Sequence, residues 1–333
     1  MRLRQLLAAA CAAALPLTSG WSASLPPTVT AAAINQYQGD SNLLSGWETQ
    51  QLRNAVPFNA TAGNVVPKQL DLFGFEFGVE GVISGTHVDE DGLRHLGTAI
   101  IDTNKIDTVN RLPMPSILAH AKLGLPFGLD AGIRFGGIPS TSRDDGTTHS
   151  DVKNTIFGID LRKKIIEEGI GLPGLTVGAN FTRANGSMDV TNPYTANGTT
   201  VVNGTTYNTT LNATGHDHSD WDVKSYGIQA ILNKQILFFN PYVGASANRN
   251  TGSISSSIGT TGNLVMSDNA GNSSTQDLGA IVGTNSDGPN RWDVRLLAGF
   301  EFSILPFMKL GFQGEYAGNK NEAGALGLRF QFR

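Results

Sequence analysis

The segment Trp292-Asp293-Val294-Arg295-Leu296-Leu297-Ala298-Gly299-Phe300-Glu301-Phe302 decides the architecture. Trp292, Val294, Leu296, Ala298, Phe300 and Phe302 fall on one side of an extended chain; Asp293, Arg295 and Glu301 fall on the other. Strict alternation with period two is the mark of a strand whose faces meet different surroundings. Working outward, the same pattern recurs in nine further segments. Toward the C-terminus they are Met308–Glu315 and Leu326–Phe332. Toward the N-terminus they are Tyr242–Asn248, Tyr226–Asn233, Leu175–Thr182, Phe157–Arg162, Leu129–Gly137, Ser116–Leu125 and Leu70–Ser84.

Each segment approaches the ~9–11 residues that a tilted strand needs to cross a bilayer. The connections alternate in length. Four short ones carry Pro126, Pro173, Pro241 and Pro306; between them run long polar stretches, 85–115, 138–152, 184–220 and 250–290. Proline suits a turn because it cannot donate to a strand ladder. Phe127, Phe238, Phe239, Tyr242 and Phe307 flank the short turns, where an interfacial aromatic girdle belongs. A soluble antiparallel barrel or sandwich also alternates, with its apolar face inward. The connection asymmetry and the girdle favour the inverted arrangement: an all-β, transmembrane, antiparallel up-and-down barrel of about ten strands.

On these registers fourteen charged residues share the polar face and should line the lumen: Glu76, Glu80, Lys122, Asp130, Arg134, Asp160, Arg162, Lys164, Asp293, Arg295, Glu301, Lys309, Glu315 and Arg329. An isolated charge inside a barrel is costly, so these are expected to pair across it. Interiors of ~8 strands are filled by side chains and water channels appear at ~16. A narrow or plugged pore in passive transport or permeability follows. The alternative is a structural or surface-interaction barrel without transport.

The N-terminus sets the compartment. Arg2 and Arg4 precede the apolar run Leu6–Leu17, and small residues follow at Ser22, Ala23 and Ser24. This reads as a secretory signal peptide, residues 1–24, cleaved near Ser22 or Ser24. The single cysteine, Cys11, lies inside it. Loss of this segment leaves 22 Lys+Arg against 28 Asp+Glu, a net charge of −6 that argues against nucleic acid as a partner. Forty glycines in 333 residues and only 16% charged residues fit neither a soluble enzyme nor a disordered tail. Residues 25–68 fit no strand template. They are expected to form a periplasmic or plug-like segment, with short helices at Thr30–Gln38 and Gly46–Asn54 broken by Gly39 and Pro57, ahead of a barrel spanning 69–333.

Ser45-Gly46-Trp47, Phe73-Gly74-Phe75, and Gly124-Leu125-Pro126-Phe127-Gly128 running into Arg134 resemble a family of uncharacterised Gram-negative outer-membrane barrels. The resemblance covers most of 40–183 and the final strands; it implies a barrel and a location, without an activity. Leu326, Leu328, Phe330 and Phe332 resemble the closing strand that the outer-membrane assembly machinery reads, with Arg333 one residue beyond. The partners implied are that machinery, outer-membrane lipid and lipopolysaccharide. A looser likeness to transporters of hydrophobic compounds rests on the N-terminal segment, and ten strands are few for that group.

Other motifs have plain readings. Gly169-Ile170-Gly171-Leu172-Pro173-Gly174 matches a dinucleotide fingerprint in letters, but a strand follows and Pro173 sits within, so it is a turn. His216 and His218 supply too few ligands for a metal by themselves. Asp89 and Asp91 with Asp217 and His218 faintly resemble the acidic and Asp/His pairs of omptin-like outer-membrane proteases, although Asp217 and His218 are adjacent where that family spaces its pair by one residue. His149-Ser150-Asp151 are chain neighbours, whereas a catalytic triad converges in space. No cofactor is implied. Asn203-Gly204 should turn a hairpin extending the strands above the membrane.

Overall fold

The computed structural model describes residues 27–63, 67–99, 101, 103, 110–144, 148–202, 204–318 and 320–332. The expected signal peptide and Cys11 lie outside these. A helix, α1 (Pro27–Thr61), precedes β1 (Phe75–His87), a short helix α2 (Glu90–Arg94), β2 (Arg111–Leu125), β3 (Leu129–Asp144), β4 (His149–Ile166), β5 (Gly174–Val202), β6 (Thr205–Asn233), β7 (Phe239–Ser267), β8 (Ser273–Asp287), β9 (Arg291–Leu305), β10 (Met308–Ala317) and β11 (Asn321–Phe332).

Every strand pairing is antiparallel. Ten strands close a ring in the order β1-β2-β3-β4-β5-β6-β7-β9-β10-β11, and β11 returns to β1. The closing seam runs from Phe75↔Phe332 to Gly85↔Glu322. Stacked rings staple it on the outside, Phe75 on Phe332 at 4.8 Å and Phe77 on Phe330 at 5.4 Å. A closed ladder has no edge and satisfies every backbone group, the condition for crossing hydrocarbon with strands.

The faces are inverted relative to a soluble protein. Phe75, Phe77, Ile133, Phe157, Tyr226, Ile228, Val294 and Leu296 point outward and are exposed, while the charged residues between them are buried. This is a transmembrane barrel of the outer-membrane type. In the short-turn girdle Phe127, Phe238 and Phe307 are exposed, but Tyr242 is not. It points inward, packs with Ile231 and Leu297, and its hydroxyl donates to Gln313 Oε1 at 3.1 Å. A buried phenol needs such a partner, which the wall supplies on that side.

Two stretches expected as long polar loops are largely strand. β5 and β6 pair without interruption from Gly174↔Asn233 to Val202↔Thr205, and Gly204 takes the left-handed turn at φ 79°. The upper half of β7 leaves the ring and pairs with β8, from Ile254↔Asp287 to Ser267↔Ser273. These hairpins rise well past the lipid-facing belt. Asn, Thr and Ser there read as loop residues by propensity, yet a ladder started in the membrane continues wherever a neighbour offers its backbone groups.

The inward face changes character along the barrel axis. Toward the short turns it is charged. Toward the hairpins it is apolar: Val82, Met114, Leu118, Ile156, Ala184, Met188, Trp221 and Val223 are buried and form one cluster with Leu52, Ala55, Val56 and Ala60 of α1. At the same level the outward residues turn polar, with Asp220 and Lys224 exposed and Asp222 half-buried on β6. Above the membrane the chain is therefore organised like a soluble protein, and α1 is its core.

That explains why residues 27–61 form one helix rather than two short ones. Gly39 and Pro57 both lie inside it. A proline in a helix interior costs about 3 kcal/mol or more, and burial of Leu52, Ala55, Val56, Phe58 and Ala60 offsets it at about 1.5–3 kcal/mol for each large apolar side chain.

Candidate functional site

Thirty-five helical residues span about 52 Å at 1.5 Å per residue. The first half of α1 lies among the hairpins. The Tyr37 hydroxyl meets Thr260 Oγ1 at 3.3 Å, Gln38 donates to the Val282 carbonyl at 2.6 Å, and Ser45 donates to the Ser256 carbonyl at 2.6 Å. Arg53 pairs with Asp287. The second half descends into the lumen, where Asn59 donates to the Met114 carbonyl at 2.7 Å and Ser84 Oγ at 3.0 Å.

At its C-terminal end the helix meets two buried arginines on different walls. Arg134 of β3 donates to the carbonyls of Ala60 at 2.6 Å and Ala62 at 3.3 Å. Arg295 of β9 donates to the carbonyl of Phe58 at 3.2 Å and to Thr61 Oγ1 at 2.5 Å, with its guanidinium 4.2 Å above the Phe58 ring. The last carbonyls of a helix lack internal partners and carry the negative end of its dipole, so cations there satisfy both. Gly63 follows at φ 72°, a conformation that favours glycine, and its N–H donates to Glu315 Oε1 at 2.6 Å. The barrel thus holds the helix terminus at the Phe58, Ala60 and Ala62 carbonyls, the Thr61 hydroxyl and the Gly63 N–H.

Below it, the chain threads on toward the short turns. Gln69 donates to the Gly128 carbonyl at 2.6 Å, and the Leu70 N–H donates to Asp130 Oδ2 at 3.3 Å. β1 then starts at that end and climbs. The sequence offered no way to tell a periplasmic segment from a plug. The structure puts 27–63 and 67–70 inside the hairpins and lumen, entered from the hairpin end, and brings 71–73 out at the short-turn rim.

Thirteen of the fourteen expected lumen charges are buried inside. Lys164 is the exception. It sits at the short-turn rim, partly exposed, 3.6 Å from Glu167, because its strand leaves the ring there. The rest associate with neighbours along the wall rather than across the lumen, whose centre the plug occupies. Lys122 meets Asp160 at 2.9 Å, and Arg162 makes a two-pronged contact with Asp130 at 2.8 and 2.6 Å. Arg295 also bridges Asp293 at 2.5 Å and Glu315 at 3.2 Å. Glu301 takes Lys309 at 3.2 Å and Arg329, which reaches Glu76 at 3.1 Å. Glu80 acts electrostatically on Arg134. His120, which alternation places on the same polar face as Lys122, joins this network 3.4 Å from Glu76. Six bases face seven acids, so the lumen carries almost no net charge.

Functional residues on α1 escaped the sequence reading altogether. Glu48 is buried in the hairpin region, accepting from Ser219 Oγ at 3.1 Å and from Ser256 Oγ, with the Asp217 carboxyl alongside. A signal existed. On β6 the apolar alternation switches parity, from Tyr226 and Ile228 outward to Trp221 and Val223 inward, which marks where the wall turns its apolar side to a core.

The protease-like residues do not assemble. Alternation along β6 sends Asp217 inward to Glu48 and His218 outward, where it lies 2.6 Å from Asp189. Asp89 accepts from the Gly92 N–H as the cap of α2. His216 also faces outward, 3.4 Å from Thr191 and Thr261. Among the described residues no group of three or more His, Cys, Asp or Glu is placed to hold a metal. Gly169–Leu172 closes a short turn between β4 and β5, with Gly171 at φ 79°.

Among solved structures the chain is similar to the outer membrane protease OmpT from Escherichia coli, with 9% identity, a TM-score of 0.38, and coverage of 82% of this chain and 100% of that one. It is also similar to Ail, the attachment invasion locus protein of Yersinia pestis, with 9% identity, a TM-score of 0.25, and coverage of 79% and 100%. The translocator domain of the autotransporter NalP from Neisseria meningitidis matches with 10% identity, a TM-score of 0.30, and coverage of 92% and 98%. No curated protein matches the sequence. Residues 68–332 match a family model described as a family of unknown function, DUF6588, and the chain belongs to that family.

Proposed function

We propose that this member of DUF6588 is a stoppered pore of the outer membrane, serving passive transport or permeability when its helix is displaced. On this reading the leader is cleaved near Ser22–Ser24, and the short turns face the periplasm as they do in outer-membrane barrels generally. The hairpins and the start of α1 then lie outside the cell. The observation that carries it is the seating of α1 in the lumen, gripped at its C-terminus by Arg134 and Arg295. A purely structural barrel of ten strands can fill its interior with side chains alone. Here the filling is a separate element, tied to the wall by polar contacts that can be exchanged for water.

The near-neutral lining favours small solutes of either charge sign over one selected ion. Planar-bilayer recording tests the proposal: the intact protein should show little steady current, and a variant lacking residues 27–61 should show large, long-lived openings. An equally silent deletion variant, shown to be folded, would refute it. A second reading, a surface-interaction barrel without transport, is favoured by the β5–β6 and β7–β8 hairpins rising beyond the membrane. Neither reading includes catalysis, since Asp217 and His218 occupy opposite faces.

A further inference from the structure

Glu48 is the one acid of α1 set against another acid of the wall. It is 8% exposed, and its neighbours Ser219 and Ser256 are fully buried. Both serine hydroxyls donate to it, one to each oxygen, Ser219 to Oε1 and Ser256 to Oε2. Asp217 lies two residues before Ser219 on the same inward face of β6, half-buried, with its carboxyl alongside Glu48 and its Oδ1 shut off from solvent. Two ionised carboxylates are acceptors only, so a hydrogen bond between them requires a proton on one. Like charges in such a site cannot both ionise without strong mutual repulsion.

The surroundings relieve that repulsion only in part, and burial outweighs the relief. On α1 itself, Asp40 accepts from the N–H groups of Ala99 and Ile101, and Arg53 pairs with Asp287 of β8. From β5, Asp189 faces outward and is held by His218 of β6, with Asp220 3.9 Å from the same ring. β7 presents Ser256. Around α2, Asp89 is tied by its backbone to Trp47 and Gln51, and Glu90 pairs with Arg94. The charges acting on the pair are Asp189, which disfavours ionisation of Asp217, and His218, which favours ionisation of Glu48 but less strongly than burial opposes it.

We propose that Glu48 and Asp217 form a proton-sharing latch between the plug and the β6 wall, closed while one proton lies between the two carboxyls and released when both are ionised. The latch rests on reading α1 as a plug. Burial pushes Asp217 well above the ordinary carboxylate range, and Glu48 beside it adds to this; burial likewise pushes Glu48 up. The docked state therefore binds more protons than the released state, and docking weakens as pH rises from the usual carboxylate range upward. At acid pH the pair closes the plug; at alkaline pH it pushes the helix off the wall.

The test is bilayer conductance of the full protein between pH 5 and pH 9, together with acrylamide quenching of Trp47, whose indole sits next to Glu48 in the chain. A Trp292→Phe background removes an exposed emitter. Open probability and quenching should rise together, by up to about tenfold per pH unit for the single shared proton. Glu48→Gln and Asp217→Asn each replace one acid by an amide that donates to its partner, so both should stay closed and unquenched throughout. A flat wild-type response, or a rise that persists in both variants, would overturn the latch while leaving a conductive deletion of 27–61 to support the plug. A silent, folded deletion variant would overturn plug and latch together. Heat-modifiable gel migration establishes that each variant is folded.

Discussion

Arg295→Ala is the most informative single change. The guanidinium serves five partners at once: Asp293 and Glu315 on the wall, and on the plug the Pro57 carbonyl at 3.5 Å, the Phe58 carbonyl at 3.2 Å and the Thr61 hydroxyl at 2.5 Å. It is 1% exposed, so water does not take its place in the native packing. Removing one partner of a buried ion pair costs about 3–5 kcal/mol, because the abandoned carboxylate stays buried. Two carboxylates are left here, but Glu315 keeps the Gly63 N–H and Gln313 as donors, which limits the loss to that range. The helix also loses three hydrogen bonds near its C-terminus, the long one to Pro57 the weakest, at up to about 1.5–3 kcal/mol for each hydrogen bond to a charged group. These contributions overlap. If about 3 kcal/mol falls on docking of the plug, the undocked population rises more than a hundredfold, since every ~1.4 kcal/mol is tenfold. Bilayer recording should therefore show frequent openings in Arg295→Ala, and urea unfolding in detergent should show a lowered midpoint. Arg295→Lys keeps a charge but loses the fork, and it should fall between. A variant as stable and as silent as the wild type would refute the idea that this side chain holds the plug.

Other consequences are open to direct measurement. Folded protein should migrate differently on a detergent gel before and after boiling, because a closed ladder gives detergent no edge to open; identical migration of a β-rich sample would contradict the ring. Phe300→Arg should impair assembly or lower stability by about 2–4 kcal/mol if it lies near the midplane, since Phe300 faces lipid among Phe239, Phe302 and Phe312. Glu301→Gln, its inward neighbour, should be harmful too, because it strips Lys309 and Arg329 of a shared carboxylate; a silent result at Glu301 would mean that this network is not closed. An epitope placed just before Pro27 should be reached by antibody on intact cells, whereas detection only after permeabilisation would reverse the direction in which α1 enters.

The membrane strands were legible because the bilayer imposes a local rule. A residue such as Phe300 or Glu301 meets lipid or lumen according to its parity alone, whatever lies further off. The lumen charges followed from the same rule, and Lys164 departed from it only where its strand runs out of the ring. The hairpins were less legible. In 184–220 and 250–290 the inward apolar residues, such as Met188, Leu211, Ile258 and Leu264, are spaced among Thr, Ser and Asn that share their face, so the alternation is interrupted. Their pairing is propagated from the membrane below.

The sequence by itself determined the barrel, its ten-membered ring, and thirteen of the fourteen charges assigned to the lumen, Lys164 being the exception. Tertiary structure alone decided what fills the ring. Residues 27–61 carry no helical stripe to announce their place, because the helix is surrounded rather than one-sided: Leu52 and Val56 meet apolar wall, while Glu48 and Asn59 meet hydroxyls and carbonyls of that same wall. An enclosed helix is matched to its surroundings position by position, and the partners lie up to 252 residues away in the chain. Periodicity can report a boundary between two media. It cannot report a cavity whose lining is assembled only when the strands close.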